Sequence, residues 1–187
     1  RNFEVRKYVL QYDNVMNKQR EVIYDERRKV LFGEDLKDNI MGMMATLVEN
    51  LVKPATMDSK FAEEWDIPAL SDDLKRITGH FPGLSYTDDQ LHDLTAEQLE
   101  DDVKEIFYNL YDKKEAEVGA DKMREVERMI LLRVVDNHWM DHIQAMDDLK
   151  QGIGLRAYGQ HDPVIAYKEE GYQMFEAMIN AIREDTV

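Results

Sequence analysis

The chain has 187 residues, a formal charge of −15, 43% hydrophobic residues and 34% charged residues. That mixture suits a foldable, water-facing protein and is too apolar for a disordered one. The absence of Cys excludes disulfides, thiolate metal sites and cysteine nucleophiles, and the acidity argues against a nucleic-acid partner, which needs clustered Lys and Arg.

Helical signals run through almost the whole chain, so the expected class is all-α. From Asn2 to Leu31, Tyr8, Tyr12, Val15, Met16, Ile23, Val30 and Leu31 recur with a period near 3.6, and neither Gly nor Pro interrupts them. This predicts one long helix, with Gly33 just past its end and Asp35 as a cap for the next. Within it, Asn17, Lys18, Gln19, Arg20 and Glu21 are polar on every face, and are candidates for contacts with another domain. Leu36, Ile40, Met43, Met44, Leu47, Val48 and Leu51 predict a second helix that Pro54 should stop. Asp66 and Pro68 open a short helix around 69–77, and the stretch 79–86 is expected to be loop. Thr95 and Gln98 form a capping box for a helix reaching about Val118 and ended by Gly119. From Ala120 to about Lys150 the apolar stripe is too wide for a helix with one buried face. Gly152 and Gly154 should end it, the segment 155–162 should be a loop, and Asp162 with Pro163 should start the last helix. Two long helices joined by a short loop pack as an antiparallel hairpin.

Charge divides the chain into three. Residues 1–53 hold 10 Lys and Arg against 9 Asp and Glu, net +1. Residues 54–118 hold 6 against 17, net −11, and residues 119–187 hold 8 against 13, net −5. The middle block also contains Pro54, Pro68 and Pro82, so boundaries are expected on either side of it. It is either a solvated acidic surface or a module kept away from anionic lipid and nucleic acid. No apolar run approaches the roughly 20 residues of a membrane span. A start at Arg1, without Met or an apolar signal segment, suggests a piece of a longer intracellular protein.

Chemical motifs are sparse. There is no phosphate-binding Gly-rich loop and no Gly-x-Ser-x-Gly elbow, so no catalytic residue is assigned. His138 and His142 lie one helical turn apart, as in zinc-binding helices. The same residues also suit packing and helix-surface positions, and no further ligand stands out downstream. The segment 155–162 joins Arg156 and Tyr158 to nearby Gly152, Gly154 and Gly159. It is either a plain connector or a tip whose Tyr offers amphipathic area and a hydroxyl to a partner without reading its sequence. The eleven Met residues suit an adaptable core or an adaptable surface.

Asn2-Phe-Glu-Val-Arg-Lys, Gln11-Tyr-Asp-Asn-Val-Met-Asn-Lys-Gln-Arg20 and Ile23-Tyr-Asp-Glu-Arg-Arg28 resemble the long scaffold helix of the SecA family of bacterial preprotein translocase motors. Trp65-Asp-Ile-Pro68 resembles its wing region. The run from Asp136 to Asp147, the run from Leu149 to Pro163, and Tyr167-Lys-Glu-Glu-Gly-Tyr-Gln-Met-Phe175 are similar to its two-helix finger. The likeness extends in order from Asn2 to Asp185.

The resemblance implies an all-α fold of a long scaffold helix plus a two-helix hairpin, with an inserted small helical wing. Residues 1–53 would be the first part of the scaffold, 54–118 the wing, and 119–187 the second part of the scaffold with the finger. It implies a mechanical and regulatory role, in which ATP-driven movement reaches a polypeptide through Tyr158 and Arg156 at the finger tip. ATP and Mg would bind motor domains outside this chain, so the chain itself would need no cofactor or metal and would not be an enzyme. The implied partners are those motor domains, the SecYEG channel, an unfolded preprotein and, through the parent, an anionic phospholipid surface. The implied location is the cytoplasm, peripheral on the inner face of the plasma membrane. The tip reads Arg156-Ala-Tyr-Gly, where some relatives have Gly before the Tyr. Without the resemblance, the residues suit a generic helical scaffold that binds partner helices.

Overall fold

The computed structural model describes residues 2–33, 35–156 and 162–187, with Arg156 described in its backbone alone. Among them every regular element is helical, as the 3.6-residue periodicity requires. The helices are α1 (Asn2–Phe32), α2 (Leu36–Thr56), α3 (Ile67–Ile77), α4 (Asp88–Asp93), α5 (Ala96–Val118), α6 (Ala120–Arg156) and α7 (Pro163–Thr186), with a 3-10 turn at Ala62–Glu64. Among the described residues no helix is long and apolar enough to cross a membrane.

Helix ends follow local chemistry. The Gly33 N–H donates to Lys29 O at 2.7 Å, and a Cβ at Gly33 would collide with that oxygen. The Asp66 carboxylate accepts from the Ala69 N–H at 3.1 Å, with Pro68 in the first turn. Thr95 and Gln98 complete the expected capping box. Gly119 ends α5 at φ +93°, a left-handed conformation open to Gly, and α6 begins at the next residue. Asp162 accepts from the Val164 N–H at 3.0 Å and starts α7.

Four expectations need correction. Pro54 does not stop α2, which runs two residues further to Thr56. Pro removes one late hydrogen bond there, and the Thr56 hydroxyl steadies the last turn by donating to Val52 O at 3.0 Å. Asp35 precedes α2, but its side chain makes no capping hydrogen bond. Gly152 and Gly154 do not end α6, which continues to Arg156. Ile153 between them is buried against Met146 and Tyr167, and that burial offsets the roughly 1 kcal/mol helix penalty of each Gly. Leu155 and Arg156 are therefore helical rather than loop. A capping box at Thr87 and Gln90 also starts a short helix, α4, that the apolar pattern does not reveal.

The described residues form two compact units. One comprises α1 with residues 128–182, and the other comprises residues 35–127 with 183–187. In the second unit α2 lies antiparallel to α5: Lys37 pairs with Glu115 at 2.9 Å and Glu49 pairs with Lys104 at 3.0 Å. Leu47, Val48, Leu70, Leu74, Leu99, Val103 and Phe107 are buried in it. The Trp65 indole N–H donates to Ser59 O at 2.8 Å, and the Tyr86 hydroxyl donates to Asp102 at 2.8 Å.

The first unit is built from three long helices. From Tyr12 to Val30 along α1, the partner on α6 moves back from Lys150 to Arg128. Along the hairpin, His142 meets Phe175, while Met146 and Ile153 meet Tyr167 further back along α7. Hence α6 is antiparallel to both α1 and α7, and the sequence-expected hairpin is present. The tip segment 157–161, with Tyr158, lies outside the described residues.

Candidate functional site

The polar stretch of α1 supplies the central joint of the first unit. Gln19 is buried although it stands among exposed polar neighbours. Its amide nitrogen donates to Gly171 O on α7 at 3.3 Å. Its amide oxygen lies 2.6 Å from His142 Nε2 on α6. With the nitrogen directed at a carbonyl, the oxygen must accept, so His142 carries its proton on Nε2. Burial pushes the His142 imidazole below its ordinary value, which favours this neutral donor. One side chain thereby connects all three helices.

Close approach at this joint depends on Gly171. A Cβ built there would lie 2.6 Å from Met146 Cε and 3.2 Å from Met146 Sδ. Met146 is fully buried, so its flexible end would have to shift to admit a larger residue. Trp139 and Phe175 flank His142, with ring centroids 5.6 and 5.7 Å away, and complete an aromatic enclosure.

Two further joints fix the same register. On one side, Tyr12 and Tyr167 meet edge to face at 4.8 Å, and Lys150 Nζ lies 5.3 Å from the Tyr12 ring centre. Burial, with Asp147 and Asp13 nearby, pushes the Tyr167 hydroxyl up to about 12, so it stays protonated at neutral pH. On the other side, Arg27 grips Asp136 through two hydrogen bonds of 3.0 and 3.2 Å. Arg128 donates to Val30 O at 3.1 Å, placing a cation at the negative C-terminal end of α1. Around the Arg27–Asp136 pair, Ile23, Tyr24, Leu31, Trp139 and Met140 line a shallow groove.

The candidate residues of α1 therefore separate. Gln19 turns inward, whereas Asn17, Lys18, Arg20 and Glu21 are exposed, with Arg20 donating to Asn17 at 3.3 Å. Arg156 is the last residue of α6. His138 and His142 share a helix, but His142 Nε2 is engaged by Gln19 and is not directed at a shared ligand. Among the described residues no group of three or more His, Asp or Glu is placed to hold a metal. Sequence reasoning missed Arg27, Asp136 and Gly171. Gly171 left a signal, a lone Gly within an otherwise regular helix. The pairing of Arg27 with Asp136, 109 positions apart, left none.

A set of long helices pinned by directional contacts defines an all-helical scaffold. The family model described as "SecA Wing and Scaffold domain" matches residues 1–187. The chain is 54% identical over 187 residues to protein translocase subunit SecA 1 of Alkaliphilus metalliredigens (strain QYMF), covering 100% of this chain and 21% of that protein. It is 49% identical over 187 residues to protein translocase subunit SecA of Pelotomaculum thermopropionicum, again 100% of this chain and 21% of that protein. With protein translocase subunit SecA 1 of Clostridioides difficile (strain 630) the identity is 50%, over 100% of this chain and 20% of that protein. The chain belongs to the SecA wing and scaffold domain family. It spans about a fifth of the length of the curated relatives it matches.

Proposed function

We propose that this chain is the mechanical and regulatory part of a protein-translocating SecA ATPase. It carries movement from motor domains to a polypeptide at a SecYEG channel and has no catalytic centre of its own. The Gln19–His142–Gly171 joint carries this reading, because it ties α1 to both helices of the hairpin. A helix rises about 1.5 Å per residue, so α1, with 31 residues, extends roughly 45 Å. Displacement at one end of a pinned rod of that length appears at the other. Coupling also requires that the nucleotide states of the motor favour different hairpin positions.

Within this reading, residues 1–53 and 119–187 serve as scaffold and finger, and residues 54–118 as wing. Tyr158 and Arg156 meet the preprotein, and Asn17, Lys18, Arg20 and Glu21 face the motor domains. ATP and Mg act in the motor domains. The parent works from the cytoplasm at the inner face of the plasma membrane and contacts its anionic phospholipid.

The test is a photo-reactive residue in place of Tyr158 in the intact translocase with a stalled preprotein. Cross-linking to the preprotein is expected, and Tyr158→Ala should reduce transport while leaving helical content unchanged. No cross-link together with normal transport by Tyr158→Ala would overturn the tip assignment.

A further inference from the structure

The geometry points to a conformational latch at the α5–α6 turn, made by Arg124, Glu127, Tyr111 and Glu115, whose opening unwinds the first two turns of α6 beside Gly119. This inference stands on the second unit alone and is independent of the proposed function. Arg124 Nη2 sits among three oxygens: the Tyr111 hydroxyl at 2.6 Å, Glu127 Oε1 at 2.9 Å, and Glu115 Oε2. The Tyr111 hydroxyl also donates to Glu127 Oε1. Lys37 at the start of α2 completes the group, 2.9 Å from Glu115 Oε1 and with its ammonium 5.7 Å from the Tyr111 ring centre. Two cations balance two carboxylates, and the cluster gathers the start of α2, the end of α5 and the start of α6.

Its placement along the chain is what suggests a latch. A single residue, Gly119, links α5 to α6, and its φ of +93° is one that few other residues adopt. Glu127 is the last residue of this stretch of the second unit, and Lys37 follows the other crossing at 34/35 by two positions. The cluster therefore ties together the two ends of 35–127. Without it, the first two turns of α6 are held to α5 by the covalent link at Gly119 and by little buried apolar surface. Lys122, Glu125 and Val126 are outside the core, and Met123 is half-buried.

The closed arrangement is also incompletely satisfied. Arg124 Nε and Glu127 Oε2 are buried without a hydrogen-bond partner among the described residues. Such atoms regain hydrogen bonds to water when the cluster opens. The closed state is thus penalised relative to the open one, which narrows the gap between them. An ionic cluster beside a one-residue link, with two unmatched atoms, has the properties of a two-state element.

Hydrogen exchange on the intact protein tests this through the amides of Arg124–Glu127. In Arg124→Met these should exchange at least about tenfold faster, whereas amides around Val48, Leu99 and Val103 should stay within about twofold of wild type. Arg124→Lys keeps a single charged nitrogen, as Nη2 is now, but on a shorter side chain that reaches the three oxygens less well, so it should fall between wild type and Arg124→Met. Tyr111→Phe, which removes only the hydroxyl, should accelerate the same amides roughly three- to tenfold, and it carries the test if Arg124→Met fails to fold. Acceleration spread evenly over 35–127, or none beyond twofold at Arg124–Glu127 in any folded variant, would overturn the latch.

Discussion

The two units solve the same problem with different forces. The second unit fills its interior with Leu47, Val48, Leu74, Leu99, Val103 and Phe107, and adds capping boxes at Thr87 and Thr95. The first leaves Phe3, Leu10, Phe32 and Leu155 between 63% and 81% exposed, and aligns three long helices through separate polar and aromatic joints. Apolar burial is non-directional, so it sets stability more than register. A buried amide with two obligatory partners sets register, because sliding one helix by a turn strands it. The exposed Arg27–Asp136 pair contributes at most about 1 kcal/mol, and its value lies in alignment. Under the proposed function, a piece that transmits displacement would need fixed alignment more than a thick core.

This contrast can be broken experimentally, starting with its largest consequence. Leu99→Ala removes a side chain with no exposure and should cost the second unit about 2–5 kcal/mol. Denaturant unfolding would show the loss, and a change below 1 kcal/mol would mean that burial there is not what stabilises the unit. Gly171→Val would push Met146 from its site and should cost the first unit about 1–3 kcal/mol. Exchange protection should fall around residues 15–23 and 139–150 and persist near Val103.

The smallest of these effects is one of pH. The folded His142 imidazole lies below its ordinary 6.5, so the unfolded chain takes up the proton first. Its stabilisation is complete above about 6.5 and is lost as pH falls through the folded value, by at most about 1.4 kcal/mol per pH unit. Comparing thermal unfolding of wild type and His142→Gln between pH 7.5 and 5 isolates this contribution. Parallel curves would show that His142 is not held neutral in the fold.

Much of the fold was legible because helices announce themselves locally. The period in α1, the capping box at Thr95 and the Asp162–Pro163 start each depend on residues within a turn or two. The misplaced ends at Pro54 and Gly152 have one cause. Local propensity argues for a stop, while packing of Ile153 and a favourable last turn at Thr56 argue for continuation. The site was less legible because its geometry is long-range. Gln19 was singled out as polar on a helix, but its inward turn depends on His142 and Gly171, more than a hundred positions away. Family likeness implied a two-helix hairpin without revealing the joint that ties α1 to it.

The central claim is that α1 and the hairpin move as one piece because Gln19 joins them. It is tested most directly by Gln19→Leu in an intact translocase, measuring polypeptide transported per ATP hydrolysed. Leu is of similar size and removes both hydrogen bonds. The account predicts that hydrolysis continues while transport per ATP falls severalfold. An unchanged ratio, with the variant folded, would contradict it.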